Sequence, residues 1–323
     1  MSKPKKFKAL IIGAGRIASG FDNPKTREIL THAHAYKVHP KIELLGFYDA
    51  ISQTAIVAAK KWSVKSFNDL EVAIKTYKPE IISICTPDSN HFVQLKMLAN
   101  LIDKPKIVIC EKPLTARLSD TSKILKIYKN KKIPVLVNHS RRFDKTVQNI
   151  RRKLIKGQFG RVVLGNAIYG QGLLHSGTHI IDLARYFFGE MISSKTLYEL
   201  GDFKKEDKSK GVFIKFKGCE QFYLQPSDCR NYDLFEFNII AQKGRITFTD
   251  LGFKYSEQNV INDPMYRGYK ILSQPRVQKT NFDQAMYNLV DNAVKHLTSG
   301  QELICNLEDA AKTHQACMSI KNN

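Results

Sequence analysis

The chain has no uninterrupted run of 18 apolar residues, no paired cysteines, no internal repeat and few acids, and each absence removes a class of protein. Without an apolar run of that length no transmembrane helix is expected, and no membrane partner. The six cysteines, Cys85, Cys110, Cys219, Cys229, Cys305 and Cys317, are scattered singly, several in apolar stretches such as "IISIC" and "KIVIC". That reads as buried reduced thiols rather than disulfides or zinc ligands. The start, "MSKPKKFKALIIGAG", has the basic flank and short apolar run of a secretion signal. The run flows straight into a glycine-rich turn, however, and no small-residue cleavage site follows. It reads as a buried strand in a cytoplasmic protein.

Acids are scarce: 30 Asp and Glu against 51 Lys and Arg give a formal charge of +21. A nucleic-acid binder would gather such charge into a patch. Here the lysines are spread along the whole chain, with only short clusters such as "KNKK" and "KKEDKSK", and no nucleic-acid motif accompanies them. No nucleic-acid partner is expected. The charge bears instead on solubility and on attraction for anionic ligands.

What is present is enough for two globular domains: 323 residues, 43% of them hydrophobic. From residue 7 to about 139, apolar runs alternate with stretches of helical periodicity. The runs are "FKALIIG", "IELLGFYD", "EIISICTP", "KIVICEKP" and "PVLVNHS"; the helical stretches are "SQTAIVAAKKW", "FNDLEVAIKTY", "NHFVQLKMLANL" and "LSDTSKILKIYKNK". Continuous apolar strands between helices predict a parallel sheet covered on both faces, the doubly wound α/β pattern of a Rossmann domain. Beyond about residue 140 the texture changes to strands rich in β-branched and aromatic residues: "RVVLGNAIYG", "GVFIKFKG", "EQFYLQPS", "FEFNIIAQKG" and "GRITFTDLG". Turn signals such as "KGCE" and "QKGR" separate several of them, and helices are few, notably after "HSGTH" and from "NFDQAMYNLVDNAVKHL" onward. The expectation is a dinucleotide-binding domain over residues 1–139 and an α+β domain with a largely antiparallel open sheet over residues 140–323. The weakly periodic stretch at residues 256–280 reads as a long surface loop.

"LIIGAGRIASGF" carries the pattern G-x-G-x-x-A in Gly13, Gly15 and Ala18. The first glycine permits a tight turn, the second lets backbone approach a pyrophosphate, and a small third residue lets helix pack on strand. A helix opening there offers free N–H groups to phosphate, so Arg16 and Ile17 join the cofactor-binding residues. The second strand ends in "GFYDA", where Asp49 can accept hydrogen bonds from ribose hydroxyls and repel a 2′-phosphate. NAD is therefore favoured over NADP. Asp49 lies 36 residues after Gly13, late for this motif, and the stretch "GFDNPKTREILTHAHAYKVHP" reads as the extension or insertion responsible. The bland alternative for Asp49 is a helix N-cap.

Residues 172–190, "GLLHSGTHIIDLARYFFGE", place His175, His179 and Asp182 at spacings of four and three, which on one helix would share a face. A metal half-site, a proton-handling site and structural histidines all fit that spacing. Gly177 suggests that the helix starts only there, leaving His175 in the preceding loop.

Four elements coincide: "GAGRIA", "CTPDSNH", "CEKPLT" and "HSGTHIIDLARYFFG". Together they resemble the Gfo/Idh/MocA family of NAD(P)-dependent oxidoreductases, which includes glucose–fructose oxidoreductase and inositol dehydrogenase. The resemblance implies a Rossmann domain followed by a domain whose open sheet often forms oligomer contacts, hence a homo-oligomer, dimer or tetramer. It implies a small carbohydrate-type substrate: a sugar, nucleotide sugar or cyclitol. Thr86 and Pro87 match the family's strand-end turn beside the cofactor, His91 its "TPxxxH" histidine, and Glu111, Lys112 and Pro113 its Glu-Lys-Pro element. Asn138, His139 and Arg141 match the segment that crosses toward the substrate. A lysine at the end of an apolar strand can also bind a reacting hydroxyl on chemical grounds and stabilise its developing charge.

The family pattern at the histidines is D-x-G-x-H-x-x-D, in which the histidine is the acid/base. His179 and Asp182 match it, and His175 stands where an aspartate is usual. The resemblance thus implies Lys112 and His179 as the proton-handling pair, with His175 and Asp182 near substrate and no metal. A histidine in place of an anion points to an anionic substrate or to an altered reaction. Three readings follow: an NAD-dependent dehydrogenase, a glycosidase with transient redox at NAD, and a ligand sensor without turnover.

Overall fold

The computed structural model describes residues 5–322. The chain forms two compact units, Met1–Phe143 with Asp283–Lys312 and Asp144–Phe282 with Thr313–Asn323.

In the first unit six parallel strands, β1 (Phe7–Ile12), β2 (Ile42–Tyr48), β3 (Lys65–Phe67), β4 (Ile81–Ile84), β5 (Ile107–Glu111) and β6 (Val135–Asn138), lie in the order β3-β2-β1-β4-β5-β6. Every residue of β4, β5 and β6 is buried, as is the second half of β1, which is why these strands read as unbroken apolar runs. Helices α1 (His32–Val38), α2 (Ser52–Trp62), α3 (Leu70–Tyr77), α4 (Asp88–Asn100) and α5 (Leu118–Lys131) connect them. Local chemistry sets their ends. The Asp69 carboxylate accepts from Val72 N at 2.9 Å to open α3, and Lys78 closes it in the left-handed region. The strand order reverses between β1 and β4, the switch point at which open α/β sheets take ligands.

The second unit holds α6 (Lys145–Ile155), α7 (Thr178–Phe188) and a nine-stranded sheet. Its strands are β7 (Val162–Tyr169), β8 (Met191–Lys204), β9 (Asp207–Phe216), β10 (Cys219–Pro226), β11 (Phe235–Ala241), β12 (Gly244–Thr249), β13 (Lys254–Asn262), β14 (Lys270–Leu272) and β15 (Arg276–Lys279). The order is β14-β13-β12-β11-β7-β10-β9-β8 with β15 beside β13; only β7 and β10 run parallel. Phe187 and Phe188 of α7 pack with Phe216, Phe222, Phe237 and Phe248 from four strands to form its core. The chain then returns to the first unit as α8 (Ala285–Ser299), and α9 (Leu307–Asn322) begins in the first unit and ends in the second.

Four expectations change. The boundary falls after Phe143 rather than 139, and residues 283–312 join the first unit, because α8 contributes Leu289, Val290 and Ala293 to buried positions there. The stretch at 256–280 is not a loop but β13, β14 and β15, whose mostly exposed residues hide the period of the strands. No full helix follows the glycine turn: a five-residue helical turn, Arg16–Gly20, gives way to an irregular segment, and α1 starts only at His32. His175 lies not in a loop but in a π-helical turn, Gly172–Gly177, that runs into α7. No described helix is long and apolar enough to cross a membrane.

Candidate functional site

The carboxyl ends of the first unit's strands gather most of the residues expected around a cofactor. Gly13 has φ +90° and donates its N–H to Tyr48 O at 2.7 Å. A Cβ there would lie 2.7 Å from the Cys85 carbonyl carbon and 2.8 Å from Thr86 N, so only glycine lets β1 turn against the end of β4. A Cβ at Gly15 would meet nothing within 4 Å, which leaves backbone open to an approaching phosphate. Ala18 is buried, Ile17 half-buried, and the exposed Arg16 lays its guanidinium 4.7 Å from the centre of the Phe21 ring.

Asp49 follows β2 directly. Its Oδ2 accepts from Ala14 N at 2.7 Å and its Oδ1 from Ile51 N at 2.9 Å. The cap-like bond to Ile51 and the bond to the glycine turn coexist, and together they fix the carboxylate beside the turn. A carboxylate has about four acceptor positions, so two remain for ribose hydroxyls. The glycine turn, the open face at Gly15 and this carboxylate fit a dinucleotide.

Thr86 donates from Oγ1 to Gln94 at 2.7 Å, and Pro87 caps α4. His91 is 1% exposed; its ring nitrogens lie 2.9 Å from Thr86 O and 2.8 Å from Pro113 O. It braces the "TP" turn to the Glu-Lys-Pro turn. Glu111 ends β5, buried, and Asn138 ends β6 opposite it in register. The half-buried Lys112 follows. Glu111 Oε1 accepts from Asn138 Nδ2 at 2.7 Å and meets His32 Nε2 at 2.8 Å. Burial opposes ionisation of Glu111, but the bond and charge of His32, the Asn138 bond and the charge of Lys112 together hold its carboxyl below the usual range. Burial, and then the negative charge of Glu111, pushes the Cys85 and Cys110 thiols well up, so neither offers a thiolate. His139 is buried and Arg141 half-buried in the short turn after β6.

In the second unit the histidine turn is built by side chains from distant strands. Asp207 accepts from Leu174 N at 2.8 Å and from His175 N at 2.9 Å. Ser209 accepts from Gly172 N and Asp202 from Gln171 N, each at 2.9 Å. His175 is exposed and its ring stacks on Phe203 at 5.0 Å. His179 is half-buried in the first turn of α7. Asp182 is 2% exposed and accepts from Thr313 Oγ1 at 2.8 Å, while Thr313 also takes Arg185 Nη1 at 2.5 Å. Asp182 thus anchors the end of α9 that belongs to this unit. Among the described residues no cluster of three His, Cys, Asp or Glu could hold a metal.

The sequence reading passed over His32, Tyr36, Ser83 and Asp207. His32 and Tyr36 stand four apart on α1 and could have been noticed as polar groups on one face. Ser83 and Asp207 gave no local signal.

Residues 7–139 match a family model described as "Oxidoreductase family, NAD-binding Rossmann fold". A D-apiose dehydrogenase of Paraburkholderia graminis is 23% identical over 207 residues, 58% of this chain and 51% of that protein. An inositol 2-dehydrogenase of Rhizobium meliloti is 24% identical over 196 residues, 56% and 54% respectively. The chain thus spans about half the length of these curated relatives. The solved WlbA dehydrogenase of Bordetella pertussis, in complex with NADH and UDP-GlcNAcA, superposes with a TM-score of 0.77 at 15% identity, over 100% of this chain and 96% of that one. At that identity the likeness is one of fold.

Proposed function

We propose, from the match of residues 7–139 to the Gfo/Idh/MocA oxidoreductase family model, that this chain is an NAD-dependent dehydrogenase of a sugar, nucleotide sugar or cyclitol. The observation that carries the reading is the end of β5, where Lys112 follows a buried, ionised Glu111 in the same strand-end cluster as the glycine turn and Asp49. When bound, the nicotinamide supplies the hydride chemistry. Gly13 and Gly15 admit its diphosphate and Asp49 takes the ribose hydroxyls. Lys112 binds the reacting hydroxyl and stabilises charge as it develops on that oxygen. His179 exchanges the hydroxyl proton, since imidazole suits proton exchange near neutral pH. His175 tunes the charge of the substrate rather than moving the proton. The named activities of the apiose and inositol dehydrogenases support a polyol or sugar as substrate.

The test is a pair of variants assayed with a panel of sugars and cyclitols. Lys112→Met should lower turnover by roughly 10²–10³ with NADH affinity nearly unchanged. His179→Ala should lower it by roughly 10²–10⁴ and flatten one limb of the pH–rate profile. Near-normal turnover in Lys112→Met, or an active His179→Ala beside a dead His175→Ala, overturns the assignment. Loss of activity on chelation, with recovery on adding zinc, would make the histidines ligands instead.

A further inference from the structure

The ends of β5 and β6 hold a carboxamide whose orientation is fixed from one side. Glu111 Oε1 accepts from Asn138 Nδ2 at 2.7 Å and from His32 Nε2 at 2.8 Å. His32 is itself held: its Nδ1 lies 3.0 Å from Ser83 Oγ, which lies 2.5 Å from Tyr36 Oη, and all three side chains are wholly buried. Because Glu111 stays ionised, it can only accept. A flipped Asn138 would set its own oxygen against that carboxylate, so the amide nitrogen is the atom that faces Glu111. The amide oxygen points away from it. Asn138 is 3% exposed, and its Oδ1 is buried with no hydrogen-bond partner among the described residues. A buried acceptor left unpaired opposes folding, so a site that keeps one has a use for it. Oδ1 is closed to water, so its donor arrives with a ligand that seats against the strand ends.

The order of strands selects the donor. The glycine turn ends β1, Asp49 follows β2 on one side of it, and β4, β5 and β6 lie on the other. A dinucleotide with its diphosphate at the turn and its adenosine ribose at Asp49 carries its nicotinamide toward β4, β5 and β6. At about 4.8 Å between neighbouring strands, the Glu111–Asn138 pair sits roughly 10–14 Å from β1 on that side. The nicotinamide carries a carboxamide of its own, with two N–H donors. We propose that Asn138 Oδ1 accepts a hydrogen bond from the carboxamide N–H₂ of bound NAD, which makes Asn138 a cofactor-binding residue that fixes the rotation of the nicotinamide ring. Glu111 and His32 are then positioning residues: they hold the amide turned so that its oxygen is the atom offered. The assignment rests on the NAD reading of the glycine turn and Asp49 given above.

The experiment is calorimetric titration of the full chain, without polyol, with NADH and with reduced 3-acetylpyridine adenine dinucleotide. The acetyl group of the analogue keeps the carbonyl and lacks the N–H₂. The parent should bind NADH roughly ten-fold tighter than the analogue, the scale of one buried acceptor left unpaired. In Asn138→Leu, of similar size and without the acceptor, the two affinities should come within about three-fold of each other; both cofactors share any general damage, so the ratio isolates the bond. Should Asn138→Leu fail to melt cooperatively, the parent decides alone with NAD labelled with ¹⁵N in its carboxamide: one N–H proton should exchange with solvent more slowly in the complex than in free NAD. Equal affinities in the parent, a parental preference surviving in Asn138→Leu, or both N–H protons exchanging as in free NAD overturns the assignment. So does a raised KM for polyol in Asn138→Leu with the cofactor ratio unchanged, which would give Oδ1 to a substrate hydroxyl. A parent chain that binds neither dinucleotide defeats the NAD reading itself. One that binds NADH but turns over no polyol defeats only the proposed activity, and the ratio still decides the role of Asn138.

Discussion

Asp49 has both oxygens tied by backbone N–H groups, to Ala14 and to Ile51, so its carboxylate is held beside the glycine turn, where the proposed reading puts the ribose. A 2′-phosphate there would meet a fixed negative charge. Tighter binding of NADH than of NADPH is the expected outcome by nicotinamide fluorescence, and Asp49→Ser should narrow or reverse the gap. Equal affinities in the parent chain would remove Asp49 from this role. Glu111 sets a second residue-scale expectation. Its folded pKa is depressed, so the stability it contributes is present above the ordinary carboxylate range, about 4.3 for glutamate, and is lost as pH falls through the depressed value. Urea midpoints of the parent should drop steeply below roughly pH 4, and those of Glu111→Gln less so. Parallel acid limbs for the two proteins would place the acid sensitivity elsewhere.

At the scale of elements, what could be read in the sequence was what packs on both sides. The strands β1, β2, β4, β5 and β6 are apolar runs because helices cover both faces, and α5 shows its period because Thr121, Ile124 and Tyr128 face inward while its lysines do not. β8 escaped because it lies at an edge of the sheet with most residues exposed, and α6 because few of its residues are apolar. The cofactor turn was legible, since its chemistry is local. The histidine turn was legible only in composition: its π-helical shape is imposed by Asp202, Asp207 and Ser209, more than thirty residues away. Removing that scaffold has a definite consequence. Asp207→Ala frees the N–H groups of Leu174 and His175, and should destabilise the fold by about 1–3 kcal/mol. In hydrogen exchange those two amides should lose protection while the core of α7 keeps its own. Unchanged protection at 174 and 175 would show that the turn holds its shape without the aspartate.

For the molecule as a whole, the assignment of residues 283–312 to the first unit and 313–323 to the second makes the C-terminal segment serve two cores. The last residues do much for the second unit. Thr313 joins Asp182 to Arg185, Ala316, Cys317 and Ile320 enter the hydrophobic cluster, and the carbonyls of Ile320 and Lys321 receive the buried Lys210 ammonium at 3.2 and 2.8 Å. That cation also suits the negative end of α9. Ending the chain at Lys312 strips all of these contacts at once. Loss of one buried isoleucine costs roughly 2–5 kcal/mol, against a total of about 5–15 kcal/mol for a domain, and the truncation further strips the buried Lys210 of its two carbonyl acceptors and Asp182 of its Thr313 donor. The second unit should therefore unfold, seen as rapid proteolysis within 144–282, while the first unit, with α8 intact, should still bind NADH. On the role proposed for His179, turnover should vanish with the second unit. A truncated chain that melts as the parent does would show that α9 is dispensable to the second core. Loss of NADH binding along with the second unit would show that the two units fold as one.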